Sequence, residues 1–287
     1  MKDILWVADF GLKHNSGGAQ RTDSFMLNEL RASGFFVTEF NHDGNPEVFN
    51  RSYDIVVSGN LEVLSRSPDI MNYLIRHPNH IRFEHDSNSY LKNDQRKMLF
   101  GSTKKNIFLS DFHHSTFVEL YGDIFPNATV CVSPIDTSKF CNTGWTVGEF
   151  QSRIKGTLSI GFMHNLKGTQ RFFAEALRNR DKDFYYAGWG DPFYTRSLNA
   201  IPNIKNLGKV EYEKIPELLN SYTDFFYHPL KFEPFCRSVA EAILCGMNVD
   251  CGENVGSLHH FRKVGKDQFV KDCKDSPKRF VELVTNG

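Results

Sequence analysis

"GTLSIGFMHNLKGTQRFFAEALRNRDKDFYYAGWG", residues 156–190, decides the fold. It opens on an apolar run of strand length (156–163), continues through a helix-like segment (169–179), and closes on a second apolar run, "DFYYAGWG" (183–190). Strands that are apolar along their whole length are buried on both faces, which is the habit of parallel sheets covered by helices. The same alternation continues downstream. "YEKIPELLNSY" (212–222) reads as a helix with Ile215, Leu218 and Leu219 inward, "DFFYHP" (224–229) as a strand, "RSVAEAILCG" (237–246) as a helix and "MNVDCG" (247–252) as a strand. Upstream, "ILWVADF" (4–10), "FFVTEF" (35–40), "YDIVVSG" (53–59), "HIRFEHD" (80–86), "NIFLSD" (106–111) and "VCVSPID" (130–136) read as strands. A glycine turn at 17–18 leads into a helix with Phe25, Leu27 and Leu30 inward, stopped by Gly34. Residues 140–155 show no period and read as a linker. The expected architecture is α/β: two Rossmann-like domains, 1–139 and 156–287, facing a central cleft at the carboxyl ends of their strands. The last helix is expected to pack back on the first domain.

Bulk properties narrow the function. A chain of 287 residues, 40% hydrophobic and 24% charged, is long and apolar enough for two folded domains. Its formal charge of zero gives no global field toward nucleic acid or membrane. The six cysteines form no CxxC pair and no zinc spacing with histidine, as suits reduced thiols. The start, "MKDILWVADF", is too short and too acidic for a signal peptide, and no 18-residue apolar stretch occurs. The expected location is the cytoplasm.

Several stretches, in order, carry a family resemblance: "SGGAQR" (16–21), "EHD" (84–86), "SPIDTSKF" (133–140), "GFMHNLKGTQRFFAEAL" (161–177), "YYAGWGD" (185–191) and "FEPFCRSVAEAILCGMNVDCGENVG" (232–256). The set resembles the retaining glycosyltransferases of the two-Rossmann-domain (GT-B) type, family 4-like, most strongly over residues 156–257. The resemblance implies transfer of a hexosyl group from a nucleotide sugar to a hydroxyl acceptor, with retention and without a metal or other cofactor. Lys167, at a helix start, would meet the donor diphosphate, since a helix N-terminus and a lysine together make an anion site. His164 would assist it. Glu233 would take the hydroxyl protons of the donor sugar, and Glu241 would accept from the two ribose hydroxyls. The backbone at Phe235 and Cys236, with Arg237, would line the donor site, as would Gly188. Gly17 and Gly18 would let the chain approach a phosphate, and His85 would contact the donor sugar from the end of its strand. Two positions depart from the family pattern: Phe162 stands where an arginine is usual, and Cys236 where a glycine is usual.

More ordinary readings stand beside these. Glu241 also suits an ion pair with Arg237 four positions earlier, Glu233 a carboxylate at a helix start, and His85 a structural histidine. "DKD" (181–183) matches a metal-binding Asp-x-Asp but precedes a strand, so it reads as a polar turn. Residues 90–106 gather Lys92, Arg96, Lys97, Lys104 and Lys105 among apolar residues. They read as a solvated helix, or as a contact for a membrane surface or polyanion. Asp86 and Asp111 are further candidates for acceptor contact. The acceptor itself is a glycan, a lipid-linked sugar or a modified nucleic acid. A two-lobed nucleotide-sugar-binding protein without catalysis, and a sugar-nucleotide epimerase of the same build, are the alternative functions.

Overall fold

The computed structural model describes residues 2–14, 17–87, 91–143 and 153–286. The chain divides into two compact units, Met1–Pro134 with Lys271–Gly287, and Ile135–Val270. Part of the expected linker, 144–152, lies outside the described residues.

Unit 1 holds six parallel strands: β1 (Asp3–Val7), β2 (Phe36–Phe40), β3 (Ile55–Ser58), β4 (His80–Phe83), β5 (Lys105–Phe108) and β6 (Ala128–Val130). Their order is β2-β1-β3-β4-β5-β6. The interior strands β3 and β4 are buried throughout, whereas the edge strand β2 exposes Phe36. Three strands are shorter than their apolar runs, each for a local reason. β1 stops at Val7, and Asp9 instead accepts from the backbone N–H groups of Val63 and Leu64 at 2.9 and 2.8 Å. β5 stops at Phe108 because Ser110 caps the next helix, its hydroxyl accepting from the His113 amide. β6 then has a partner only as far as the Phe108–Val130 pair, so "VCVSPID" is mostly not strand.

Helix α1 (Gly18–Ala32) follows β1, with Met26 rather than Phe25 fully buried. α2 (Pro68–Arg76), α3 (Asn93–Ser102) and α4 (Asp111–Tyr121) lie between the later strands. The C-terminal residues also belong to this unit. Phe280 packs 5.6 Å from the Trp6 ring and 4.8 Å from that of Phe83. Lys105 donates to the Leu283 carbonyl at 2.6 Å, closing the end of the last helix.

Unit 2 holds five parallel strands: β7 (Ile154–Met163), β8 (Phe184–Gly190), β9 (Ile204–Gly208), β10 (Tyr222–Tyr227) and β11 (Asn248–Cys251). The order is β11-β10-β7-β8-β9. Helices α5 (Thr169–Arg178), α6 (Pro192–Asn199), α7 (Ile215–Ser221) and α8 (Arg237–Leu244) connect them, and α9 (Gly256–Val264) and α10 (Lys266–Thr285) follow the last strand. β9 carries no apolar signature because it is an edge strand with Lys205 and Asn206 exposed. Phe172 of α5 seals the core between Phe184, Tyr186 and Phe226, with ring centroids 5.4–5.9 Å away. Truncating such a ring costs about 3–5 kcal/mol.

The chain passes to opposite sides of β7: first β8 and β9, then β10 and β11. The order therefore reverses between β7 and β10, and ligands of open α/β sheets bind at the carboxyl ends of the strands flanking such a reversal.

One packing constraint is sharp. Gly188 pairs with Gly161 across β7 and β8, and a Cβ at 188 would stand 1.9 Å from the Gly161 carbonyl oxygen. Gly188→Ala should therefore destabilise the protein by about 1–3 kcal/mol or more, read as a lower urea midpoint.

Candidate active site

The reversal point of unit 2 brings together residues far apart in sequence. From β7 the chain enters a short 3-10 turn, Asn165–Lys167. The ring of His164 accepts from the Leu166 amide at 3.2 Å, and the Thr169 hydroxyl bonds the His164 backbone, so the histidine builds the turn. Gly168 ends the turn at φ +81°, and a Cβ there would meet the His228 carbonyl oxygen at 2.1 Å. Only glycine fits, and the turn carries Lys167 to Glu233.

Glu233 comes from the β10 side. Its amide donates to the Asn254 carbonyl at 2.8 Å, and its own carbonyl accepts from Gly256 at 2.9 Å. Thus fixed, its Oε1 accepts from Lys167 Nζ at 2.7 Å and from the Tyr227 phenol at 3.1 Å. The carboxylate is 14% exposed and the lysine 44%. Burial holds the Tyr227 hydroxyl well above its ordinary range, with Cys236 and the Glu233 charge adding to it. The partner of Glu233 in the protein alone is thus a lysine and a phenol.

Three residues on, α8 begins. Its N-cap, Cys236, sits at φ 65°, ψ 89°, left-handed space that favours glycine. This gives a backbone reason for the glycine usual in the family. No side chain caps the helix start. Burial pushes the Cys236 thiol up to about 11, and the Glu233 charge adds to the rise. The Phe235 ring is buried and stacks on Phe269 at 6.4 Å. Its side chain is core, leaving only its backbone to a ligand.

Glu241 lies within α8, 4% exposed. Its Oε1 accepts from the Tyr212 phenol at 2.8 Å, and Arg237 Nη2 lies 3.5 Å from the same oxygen. Arg237 also donates to the Tyr212 oxygen at 2.9 Å. The pairing with Arg237 is the ordinary reading made for this glutamate. Burial first, and the Glu241 charge second, raise the Tyr212 hydroxyl.

Phe162, in the usual arginine's position, is 46% exposed, with the Trp189 ring 6.0 Å away and the His164 ring stacked at 6.3 Å. Arg171, in the first turn of α5, donates to the Pro229 carbonyl at 3.3 Å. Gly188 lies inside β8, where the register demands glycine, so its position has a structural cause that needs no donor. Asp183 precedes β8 and pairs with Lys205 at 3.1 Å, the polar turn expected of "DKD".

Unit 1 corrects one expectation outright. His85 does not present its ring for a sugar: the side chain is 1% exposed, 2.9 Å from Asp23 and against Phe83 at 4.3 Å. The cause is its neighbour. Glu84 accepts from the backbone amides of His85 and Asp86 and from Arg82, which folds the chain inward after β4. Gly17 is the N-cap of α1 at φ −67°, a conformation open to any residue, and Gly18 opens the helix. Asp111 is the first residue of α4. Among 90–106, Arg96 covers the Tyr121 ring at 3.9 Å and donates to the Leu91 carbonyl. Lys104 donates to Asn79 and Lys105 to Leu283, and Leu99 and Phe100 are core. Those residues favour the solvated-helix reading; Tyr90 lies outside the described residues. Among the described residues no helix is long and apolar enough to cross a membrane.

Sequence reasoning missed the two tyrosines. Tyr227 sits in an aromatic run where every ring reads as core, and Tyr212 precedes its helix without a motif. Only the fold shows that each aims its hydroxyl at a glutamate.

The comparisons agree with the fold. Residues 193–286 match the family model of the glycosyl transferases group 1. HepE from Anabaena, solved with UDP, is similar over 100% of this chain and 98% of its own, at 15% identity and a TM-score of 0.69. Sucrose-phosphate synthase from Thermosynechococcus elongatus is similar over 99% and 95%, at 10% identity and a TM-score of 0.71. An alpha-glucosyltransferase in complex with UDP and a 13-mer DNA is similar over 100% and 91%, at 14% identity and a TM-score of 0.60. The fold is therefore GT-B, and residues 193–286 carry the glycosyl transferases group 1 match. No curated protein matches the chain in sequence.

Unit 1 also holds a titrating carboxyl. Burial first, and the Glu84 charge second, raise Asp86 to about 7 from 3.8. Because the folded protein then holds a proton that the unfolded chain releases, this group's contribution to stability is full below pH 4 and is lost as pH rises toward 7. Asp86→Asn should raise the melting temperature at pH 8 relative to the parent, with the gain shrinking at pH 5.

Proposed function

We propose that this chain moves a hexosyl unit from a nucleoside-diphosphate sugar to a hydroxyl acceptor, with retention and without a divalent ion on the diphosphate. The observation that carries this reading is the Lys167–Glu233–Tyr227 cluster at the sheet reversal, beside the uncapped start of α8. A diphosphate needs cations and amides, and a lysine next to a helix N-terminus supplies both. On sugar binding, Glu233 exchanges part of its bonding to Lys167 and Tyr227 for the sugar's hydroxyls. Lys167 is then released toward the phosphate. Glu241, held with Tyr212 and Arg237, offers its carboxylate to the ribose diol.

The transfer passes through an oxocarbenium-like state. Glu233 is restrained by two donors and is not poised as the attacking group. The leaving diphosphate therefore accepts the acceptor's proton on the same face, and the anomeric configuration is kept. Stabilising charge on that diphosphate is the dominant catalytic contribution. The UDP held by HepE and by the DNA-bound alpha-glucosyltransferase supports a nucleotide donor. The acceptor is a hydroxyl of a glycan, a lipid-linked sugar or a modified nucleic acid, and the protein works in the cytoplasm.

A binding protein without turnover draws on one observation, the loss of the usual cation at Phe162. Incubation with UDP-, GDP- and ADP-sugars separates the readings. Slow nucleotide release that an acceptor stimulates, yielding a product of unchanged anomeric configuration, is the expected result. Sugar isomerisation with no acceptor would identify an epimerase, and binding without release a binding protein. Lys167→Ala should lower kcat/KM about 100-fold or more, the scale of removing one donor from a developing anion. Added Mg²⁺ or Mn²⁺ should leave turnover unchanged.

A further inference from the structure

Two loops of unit 1 gather three groups that the proposed sugar transfer leaves unused. After β1 the chain turns through Gly11 to His14, and after β2 through Asn41 to Gly44. His14, His42 and Asp43 each bring one ligand atom to a common point, all within 4.8 Å of one another. His14 Nε2 lies 3.0 Å from Asp43 Oδ2. The ring of Phe10 sets the two imidazoles, 4.7 Å from His42 and 6.3 Å from His14, with the imidazoles 5.2 Å apart.

We propose that His14, His42 and Asp43 bind a divalent transition-metal ion, zinc by preference, which staples the loop entering α1 to the turn after β2. Two imidazole nitrogens and one carboxylate oxygen are a zinc donor set, with a fourth position left to water. Nitrogen ligands of this kind select against Mg²⁺ and Ca²⁺, which take oxygen.

The surrounding bonds bear on this directly. His42 Nδ1 lies 2.8 Å from the Asp9 carbonyl oxygen. Donating there, the neutral ring keeps its lone pair on Nε2 and is held in orientation, as metal-binding histidines usually are. Asp9 is itself fixed by the Val63 and Leu64 amides. His14 must rearrange: its Nδ1 accepts from the Gly11 amide at 3.1 Å, so its proton sits on Nε2 and points at Asp43. When the ion takes Nε2, that proton leaves it, Nδ1 gains one, and the Gly11 bond opens. Lys13 is 3.8 Å from Asp43 and mostly exposed, free to swing away. His42 and Asp43 are both exposed, which gives the ion a way in.

The test uses the full chain, stripped of metal, titrated with Zn²⁺ by calorimetry and with Co²⁺ by visible absorption. A single site is expected, with Co²⁺ bands of nitrogen and oxygen ligation and a melting temperature that rises with Zn²⁺ but not with Mg²⁺. His42→Gln and Asp43→Asn should each weaken Zn²⁺ by more than about tenfold, the least that disturbing even an outer partner of a metal does. Both should also abolish the thermal rise. Asp43 is exposed, so its variant keeps the test valid should His42→Gln fail to fold. Absence of binding, unchanged binding in Asp43→Asn, or a Co²⁺ spectrum dominated by thiolate charge transfer from any of the six cysteines would overturn the site.

Discussion

A lysine and a glutamate 66 positions apart meet at 2.7 Å where the strand order of unit 2 reverses, and the account of this protein rests on that contact. Its energy does not explain its presence. With the lysine almost half exposed, such a pair contributes about 0–1 kcal/mol to stability. Yet the fold supports it with features that carry a cost. A left-handed Gly168 presses against the backbone of His228 on one side. On the other, Glu233 is bridged to the strand-like segment at Val255, and Cys236 takes a left-handed conformation. A left-handed residue with a side chain costs roughly 1–2 kcal/mol. Backbone strain held beside so weak a pair is an observation on which the proposed donor site rests.

Around that contact the electrostatics have one theme: single carboxylates held by neutral phenols and one cation each. Glu233 has Tyr227 and Lys167, and Glu241 has Tyr212 and Arg237. A phenol shares a hydrogen bond without fixing the charge balance, so the cation can turn to an incoming phosphate while the carboxylate keeps a partner. Buried carboxylates left alone would be far more costly. Burial first, with the glutamate charges adding to it, pushes the thiol of Cys236 and the hydroxyls of both tyrosines upward.

Much of this was legible in the sequence. Fully apolar runs and intervening helices predicted two parallel α/β halves, and the family resemblance singled out Lys167 and Glu233, which meet at the reversal of unit 2. What escaped followed physical rules that a single sequence does not display. β9 is an edge strand, so Lys205 and Asn206 hide it. β1 ends at Val7, where the Asp9 carboxylate begins to hold the Val63 and Leu64 amides, and β5 ends where Ser110 caps α4. Tyr227 and Tyr212 look like core rings until the fold turns their hydroxyls onto glutamates. His85 ran the other way. Its place after a strand suggested display, but the Glu84 hub and Asp23 draw the ring inside.

The central claim is that Lys167 and its glutamate partner form the seat of a diphosphate. Calorimetric titration of UDP, GDP and ADP, each beside its parent nucleoside, into the wild-type protein and Lys167→Met addresses it most directly. The account predicts that one diphosphate binds the wild type well above its nucleoside, and that Lys167→Met erases that difference while leaving nucleoside affinity intact. A diphosphate preference of equal size in both proteins would contradict it.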